Sequence, residues 1–355
     1  MNHNTMLVFG QIQLDVPIVQ AALSGYSDAA MRLLARAYGC PYALNEVVLD
    51  RFVSRGGKKM RQMLAIPEGD HPVGGQLMGS EPEHFAVAAD EMVSIGYDAV
   101  DINFGCPVRK VLGRCRGGYL LSVPDQAREI IRRVCDAVGG RVPVTVKLRR
   151  GMDDSTAAER AFFAVLDGAF EIGVAAVTVH GRTVQQRYVG PSDWLFLARV
   201  KRHVGDRTVL GSGDLFSAEA CVRMLNETGV DGCSVARGAI GNPFIFREAR
   251  ALLAGDPLPP PPSIASQRAA ILHHFELMSD LYGDRKASIL FRKFAVRYRE
   301  LHPCGRQAMM DFLQVRTPEQ WRAALDRWYT DAGRFPPVRR RSRRRPETLV
   351  AAGAT

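Results

Sequence analysis

The stretch Ala99-Val100-Asp101-Ile102-Asn103-Phe104-Gly105-Cys106-Pro107 decides the reading of the fold. Its apolar residues run into Asn103, then a glycine, then a cysteine held against a proline. Gly and Pro punctuate what the apolar run builds, so this is a buried strand ending in a tight turn. The turn sets a carboxamide and a thiol at the strand's mouth. A carboxamide donates and accepts together, and so can grip a flat heterocycle. A thiol, with a reference pKa of about 8.5, keeps its proton near neutral pH and can deliver it. A buried structural cysteine in a βα turn fits the same residues. The rest of the chain separates the two readings.

Working outward, the same rhythm recurs. Strands are expected near 17–22, 42–48, 73–78, 98–104, 143–148, 175–180, 207–211 and 231–236, with helices between, among them 27–38, 82–95, 124–138, 156–172 and 216–228. Eight strands alternating with helices over about 240 residues fit an α/β fold of the closed (β/α)8 barrel kind, a TIM barrel, better than an open doubly wound sheet. Leu7 to Val16 alternates around Gly10 and reads as a hairpin closing the barrel floor. Asp256-Pro257-Leu258 and the four prolines 259–262 can be neither helix nor inner strand. The organisation is therefore a barrel over 1–255, a proline-rich linker at 256–262, a small all-α domain over 263–330 and a basic, disordered tail at 331–355. Helical stripes in the third segment are Ile271, Phe275, Leu277, Met278 and Leu281, then Ile289, Leu290, Phe294 and Tyr298, then Trp321, Leu325 and Trp328.

Bulk composition narrows the function class. The chain of 355 residues is 46% hydrophobic and 24% charged, ordinary for a soluble globular protein. No apolar run approaches the roughly 18 residues a membrane span needs, and Met1 to Phe9 lacks the pattern of a signal peptide. Seven scattered cysteines without a CxxC pair argue against a disulfide frame or a zinc site and for a reducing cytoplasm. The net charge of +10 is uneven. Residues 1–262 carry 29 Lys and Arg against 28 Asp and Glu, residues 263–330 carry 11 against 7, and residues 331–355 carry 7 against 2. A neutral front and a basic back suggest a polyanionic partner, nucleic acid first, against the plain alternative of solvated surface charge.

Chemistry in such a barrel sits at the C-terminal strand ends. The polar residues expected there are Gln76, Asn103 with Cys106, Lys147, His180, the turn Ser212-Gly213-Asp214, and the turn Ala236-Arg237-Gly238. A lone lysine or histidine is ordinarily surface or structure; a convergent ring of Gln, Asn, Lys and His is hard to assign to packing. Glycine turns after the last two strands let backbone N–H groups approach a phosphate where no Cβ intervenes. Lys147 and His180 suit the polar edge of an isoalloxazine, where a cation would stabilise an anionic reduced ring. The barrel is thus expected to hold FMN, with Cys106 on the substrate side.

At these residues the chain resembles the dihydrouridine synthases, from Pro17 to about Tyr329. The carrying pieces are Ser24-Gly25-Tyr26-Ser27-Asp28, Gln76-Leu77-Met78-Gly79, Asn103-Phe104-Gly105-Cys106-Pro107, Val146-Lys147-Leu148-Arg149, His180-Gly181-Arg182-Thr183 with Gly190, Asp193 and Trp194, and Ala236 to Pro243. The resemblance implies an FMN barrel followed by a helical RNA-binding domain, NADPH as reductant of the flavin, and reduction of the C5–C6 double bond of a uridine in tRNA. It implies that Cys106 is the acid that protonates C5. It also puts Ala22 and Leu23 beside the flavin with Gln76, Asn103, Lys147, His180, Ser212, Gly213, Asp214, Ala236, Arg237 and Gly238. Asn103, Arg149, Arg182, Arg114, Arg116, Arg292, Lys293, Arg297 and Arg299 are expected at the RNA. No metal, membrane or obligate protein partner is expected.

The chain departs from the family pattern in three places. Ala21-Ala22-Leu23 replaces Ala-Pro-Met, Ser212 replaces Asn, and Gly113-Arg114-Cys115-Arg116-Gly117-Gly118 replaces a small-residue run after the cysteine. Two other readings compete: a flavin-dependent reductase of a small, pyrimidine-like substrate on the same barrel, and an RNA-binding protein that has lost most of its catalysis. The basic helical region speaks against the first, and the presence of Cys106, Lys147 and His180 against the second.

Overall fold

The computed structural model describes residues 6–330 and, beyond them, 332–336, 338 and 340. A short antiparallel hairpin, β1 (Leu7–Phe9) and β2 (Ile12–Leu14), precedes a parallel sheet. The sheet comprises β3 (Ile18–Gln20), β4 (Ala43–Leu44), β5 (Val48–Leu49), β6 (Val73–Met78), β7 (Ala99–Phe104), β8 (Val144–Arg149), β9 (Ala176–His180), β10 (Val209–Ser212) and β11 (Gly232–Val235). Each strand pairs with the next around the ring, and β11 pairs with β3, which pairs with β4. Pairing of β4 with β6 closes the ring, and β5 continues the β4 position along β6. The result is a closed eight-position parallel barrel with helices outside, followed by further helices: the (β/α)8 architecture the alternation implies.

The break between β4 and β5 is a bulge. Leu44 faces Gly74 and Val48 faces Leu77, so one extra residue sits on the outer strand. Asn45 fills the interrupted ladder: its N–H donates to the Gly74 carbonyl at 3.0 Å, and its Oδ1 accepts the Gln76 N–H at 2.7 Å. The single expected strand over 42–48 is therefore two short ones. Ends of the others shift by one or two residues, while the helices Pro82–Ile95, Pro124–Val138 and Thr156–Ile172 keep their expected limits. Their starts carry proline at the first turn or a side-chain cap, as where Ser155 accepts the Ala158 N–H, and glycine ends them at Gly96, Gly139 and Gly173 in left-handed conformation.

The hairpin does close the floor. Leu7, Phe9, Ile12 and Leu14 pack with Val19, Tyr42, Leu44, Ala99, Ala176 and Leu210 into one apolar plug. With the lower end filled, polar residues of the upper layers face a single opening.

After residue 262 the chain forms helices Ile264–Tyr282, Asp284–Leu290, Arg292–Tyr298, Gly305–Gln314 and Pro318–Tyr329. Phe275, Phe291, Phe312 and Trp321 make an aromatic centre, and the Trp321 indole donates to the Ser288 carbonyl at 3.1 Å. Leu281 and Ile289, expected in the stripes, point outward instead, 44% and 43% exposed. Of the expected disordered tail, two described residues make contacts: Phe335 lies 4.9 Å from the His302 ring, and Arg340 pairs with Glu248 at 3.2 Å. The remainder lies outside the described residues. Among the described residues no helix is long and apolar enough to cross a membrane.

These helices share one apolar cluster with the barrel. Tyr26 meets Phe294 edge-on at 5.4 Å, and the Tyr282 hydroxyl donates to Asp28 at 3.1 Å. The closest approach is at Gly241, in left-handed conformation (φ +68°), where a Cβ would lie 2.5 Å from the Tyr298 nitrogen. Gly241→Ala should therefore lift helix Arg292–Tyr298 from the barrel and cost about 1–3 kcal/mol in urea unfolding, the range of overpacking. An unchanged midpoint would mean that this contact yields freely.

Candidate active site

The C-terminal strand ends converge on a cavity of about 380 Å3. Ala22, Leu23, Gln76, Asn103, Lys147, His180, Ser212, Gly213, Asp214, Ala236, Arg237 and Gly238 all line it, as does Cys106. The residues expected around a flavin thus surround one space. Tyr26, Tyr188 and Phe216 also line it; the sequence reading gave them no place there.

Asp101, which the sequence reading passed over, organises the polar wall. It is buried on β7, where Thr145 Oγ1 donates to its Oδ1 at 2.6 Å and Gln76 Nε2 to its Oδ2 at 2.7 Å. With Gln76 turned that way, its Oε1 accepts from Asn103 Nδ2 at 2.7 Å, and Asn103 Oδ1 accepts the Gly105 N–H at 2.9 Å. Both amides are oriented by this chain of bonds. The signal for Asp101 was an acid inside an apolar strand, which must have a partner when buried.

Positive charge outweighs negative around the cavity. Burial pushes the Lys147 ammonium down to about 8, helped by Arg149 and opposed by Asp101. Burial and then the charges of Lys147, Arg149, Arg182 and Arg237 hold His180 well below its usual range, so it is neutral. Arg182 Nη1 lies 3.4 Å from His180 Nε2. A guanidinium only donates, which leaves the imidazole proton on Nδ1.

Two arginines expected at the RNA are deeply buried. Arg182 is 3% exposed, ion-paired with Asp214 at 2.7 Å and bonded to the Gly190 carbonyl. The pairing with the half-buried Asp214 takes the charge, and Arg182 supports the wall from behind. Arg149 is 2% exposed and donates to the carbonyls of Gly105, Thr183 and Arg187. It lines the cavity, so only a group inserted there can reach it.

The two glycine turns pack on each other. A Cβ on Gly238 would lie 1.9 Å from the Leu215 carbonyl oxygen, and one on Gly213 would lie 2.3 Å from Ser192 Oγ. Gly213 and Asp214 are both left-handed, at φ 113° and 59°. Ser192 N–H donates to Asp214 at 2.7 Å and the Trp194 indole to the Gly213 carbonyl at 3.2 Å. This cradle, floored by backbone and rimmed by Arg237, has the chemistry of a phosphate seat.

The loop after Cys106 folds back beneath it. Gly118 N–H donates to the Cys106 carbonyl at 3.1 Å, and a Cβ on Gly117 (φ +58°) would lie 2.8 Å from Cys106 Cβ. Arg114 is exposed, but Arg116 turns inward: its Nε is buried without a partner. Its charge acts on Asp50, whose carboxyl is raised by burial and drawn back by the Arg51 N–H and by Arg116. The four basic residues of helix Arg292–Tyr298 and its end divide between two faces. Arg292 donates to the Leu313 carbonyl and Arg299 to Met309 Sδ, both toward helix Gly305–Gln314. Lys293 lies over the Tyr26 ring at 5.6 Å and Arg297 lines the cavity.

Burial pushes the Cys106 thiol up, only partly opposed by the Val108 N–H and the Arg149 charge. It therefore keeps its proton at neutral pH, as a donor must. Iodoacetamide at pH 7 should label exposed Cys115 well before Cys106, with Cys106 catching up only as pH rises past 9. Peptide mass spectrometry reads both sites; faster labelling of Cys106 at pH 7 would mean a thiolate and remove the donor.

Comparison with known proteins follows this geometry. Residues 19–331 match the family described as Dihydrouridine synthase (Dus). The chain is 33% identical over 315 residues to the tRNA-dihydrouridine synthase B of Xanthomonas campestris pv. campestris, covering 89% of this chain and 93% of that one. It is 33% identical over 340 residues to a probable tRNA-dihydrouridine synthase of Mycobacterium tuberculosis, covering 90% and 84%. Among solved structures the fold is similar to a 2-naphthoyl-CoA reductase in complex with 2-naphthoyl-CoA (TM-score 0.56, 13% identity, 72% of this chain and 52% of that one). It is also similar to a histamine dehydrogenase from Rhizobium sp. 4-9 (TM-score 0.55, 13% identity, 78% and 51%). This chain spans about half the length of either. By the family match over most of its length and by its identity to these relatives, the chain belongs to the dihydrouridine synthase family.

Proposed function

We propose that this chain reduces the C5–C6 double bond of a uridine in tRNA to 5,6-dihydrouridine, with FMN as bound cofactor and NADPH as reductant. The observation that carries the reading is a protonated thiol, Cys106, at the wall of one cavity that also gathers a phosphate cradle and a ring of amide, lysine and neutral histidine. The residues present suit FMN. The turns Gly213-Asp214 and Ala236-Arg237-Gly238 would hold the phosphate, and Ala22, Leu23, Gln76, Lys147 and His180 the ring. Bound there, reduced FMN would supply hydride for C6.

This chain's own residues do the rest. Cys106 delivers the proton to C5 from Sγ, on the side of the cavity where Pro107 and Val108 form the rim. Asn103, fixed by the Asp101 chain, offers its carboxamide to the uracil edge. Arg149, reached only from inside the cavity, meets a base swung out of its stack, a movement that costs a few kcal/mol. The helices of 263–330 and the cations Lys293 and Arg297 at the barrel rim supply contacts to the RNA that offset that cost. A free thiol as donor calls for a reducing compartment, the cytoplasm. The names of the relatives support tRNA as the substrate.

Cys106→Ala should keep its flavin and its NADPH oxidation while dihydrouridine formation falls by roughly 10²–10⁴-fold, the worth of a general acid. Nucleoside mass spectrometry of tRNA from a deletion strain carrying either form measures this, and near-normal product would sink the assignment.

Lys147 gives a pH signature. Its lowered pKa of about 8 leaves it charged below that pH and neutral above. The affinity of flavin-free protein for FMN should weaken as pH rises through about 8, and Lys147→Arg, charged throughout, should abolish that fall. Fluorescence titration from pH 7 to 9.5 reads it; a flat wild-type curve would remove Lys147 from the flavin.

A further inference from the structure

A second groove opens beside the cavity, on the thiol side. It has a volume of about 430 Å3 and is lined by Pro107, Val108, Arg109, Arg187 and Tyr188. Pro107, Val108 and Tyr188 also line the cavity, so the two spaces share a wall. We propose that this groove seats the nucleotide next to the reacting uridine, its base against Val108 and Tyr188 and its phosphate between Arg109 and Arg187. The proposal rests on the tRNA reading above.

Three observations carry it. First, the wall is apolar yet open to water: Val108 is 53% exposed and Tyr188 54%, with Val189 beyond them at 75%. Large exposed apolar side chains gathered at one rim mark a binding surface. Second, the cations are unspent. Arg109 and Arg187 are exposed and have no ion pair among the described residues, in contrast to Arg149 and Arg182, which are bonded inward. Lys110 and Arg114 on the adjoining loop are likewise exposed and unpaired. Third, the backbone is shaped to present them. Arg187 is left-handed at φ 51°, and its carbonyl accepts from Arg149 Nη1 at 2.8 Å. One loop thus aims Arg187 outward while its main chain braces the cavity floor.

An apolar wall next to unpaired guanidinium groups fits a base and its phosphate. A chain that continues on either side of a swung-out uridine must leave the cavity through its rim. The groove offers that exit on the side of the proton donor, where substrate lies. The rival source of the same chemistry is the adenosine half of NADPH.

The test is steady-state kinetics of Arg109→Ala/Arg187→Ala in the full-length holoenzyme, with tRNA and with NADPH as the varied substrate, at several salt concentrations. The expected result is a rise of about tenfold in KM for tRNA and a salt slope of log KM smaller by about 0.8, since the loss of one neutralised phosphate removes roughly 0.7–0.9. The KM for NADPH should stay within twofold, and a thermal midpoint equal to wild type excludes misfolding. Val108→Ser gives a second reading: KM for tRNA should rise with the salt slope unchanged, because it removes apolar contact and no charge. An unchanged KM for tRNA in both variants overturns the subsite. A rise in KM for NADPH instead assigns the groove to the dinucleotide and overturns it too. If wild-type enzyme itself forms no dihydrouridine in tRNA, the tRNA reading falls and the subsite falls with it.

Discussion

The site depends on one buried carboxylate. Asp101 stands inside the barrel wall, accepts from Thr145 and Gln76, and lies near Lys147. An uncompensated charge there would cost several kcal/mol, so its partners must be in place whenever the chain is folded. Through Gln76 it turns the Asn103 amide, and Asn103 in turn holds the Gly105 N–H at the entry to Cys106. The placement of Cys106 thus begins three hydrogen bonds away, at an acid that does not itself line the cavity.

The same economy governs the cations. Lys147, Arg149, Arg182 and Arg237 crowd His180, while Asp101 answers Lys147 and Asp214 answers Arg182. Burial first, and then the crowded like charges, depress Lys147 and keep His180 neutral. An anionic ligand would relieve that repulsion. The glycine turns add the shape: a single methyl at Gly238 would strike the Leu215 carbonyl and part the two loops.

The altered loop after Cys106 acquires a structural meaning. Arg116 does not reach outward with Arg114 but is half-buried, its charge acting on the buried Asp50, while Gly117 and Gly118 stay in close contact with Cys106. The departure from small residues is accommodated on the far side of the loop, and the side facing the thiol keeps its glycines. At the rim the cations divide: Arg292 and Arg299 tie helices together, and exposed Arg109 and Arg187 have no ion pair among the described residues.

The alternation of strand and helix, the breakers between them and the polar residue ending each strand were legible in the sequence, because each depends on neighbours a few positions apart. Periodicity locates Asn103, Lys147 and His180 on strand ends, and glycine marks the turns at 213 and 238; a closed parallel barrel then brings them together by geometry alone. The bulge at Asn45, the inward turn of Arg116 and Arg182, and the central place of Asp101 were not legible. Each is settled by a partner 31 or more residues away in the chain, Gln76, Asp50, Asp214 and Thr145 respectively, and burial of charge can be judged only once those partners are adjacent. The same holds for the groove at Val108 and Tyr188. Two loops 80 residues apart become one surface only when β7 and β9 stand two places apart in the ring.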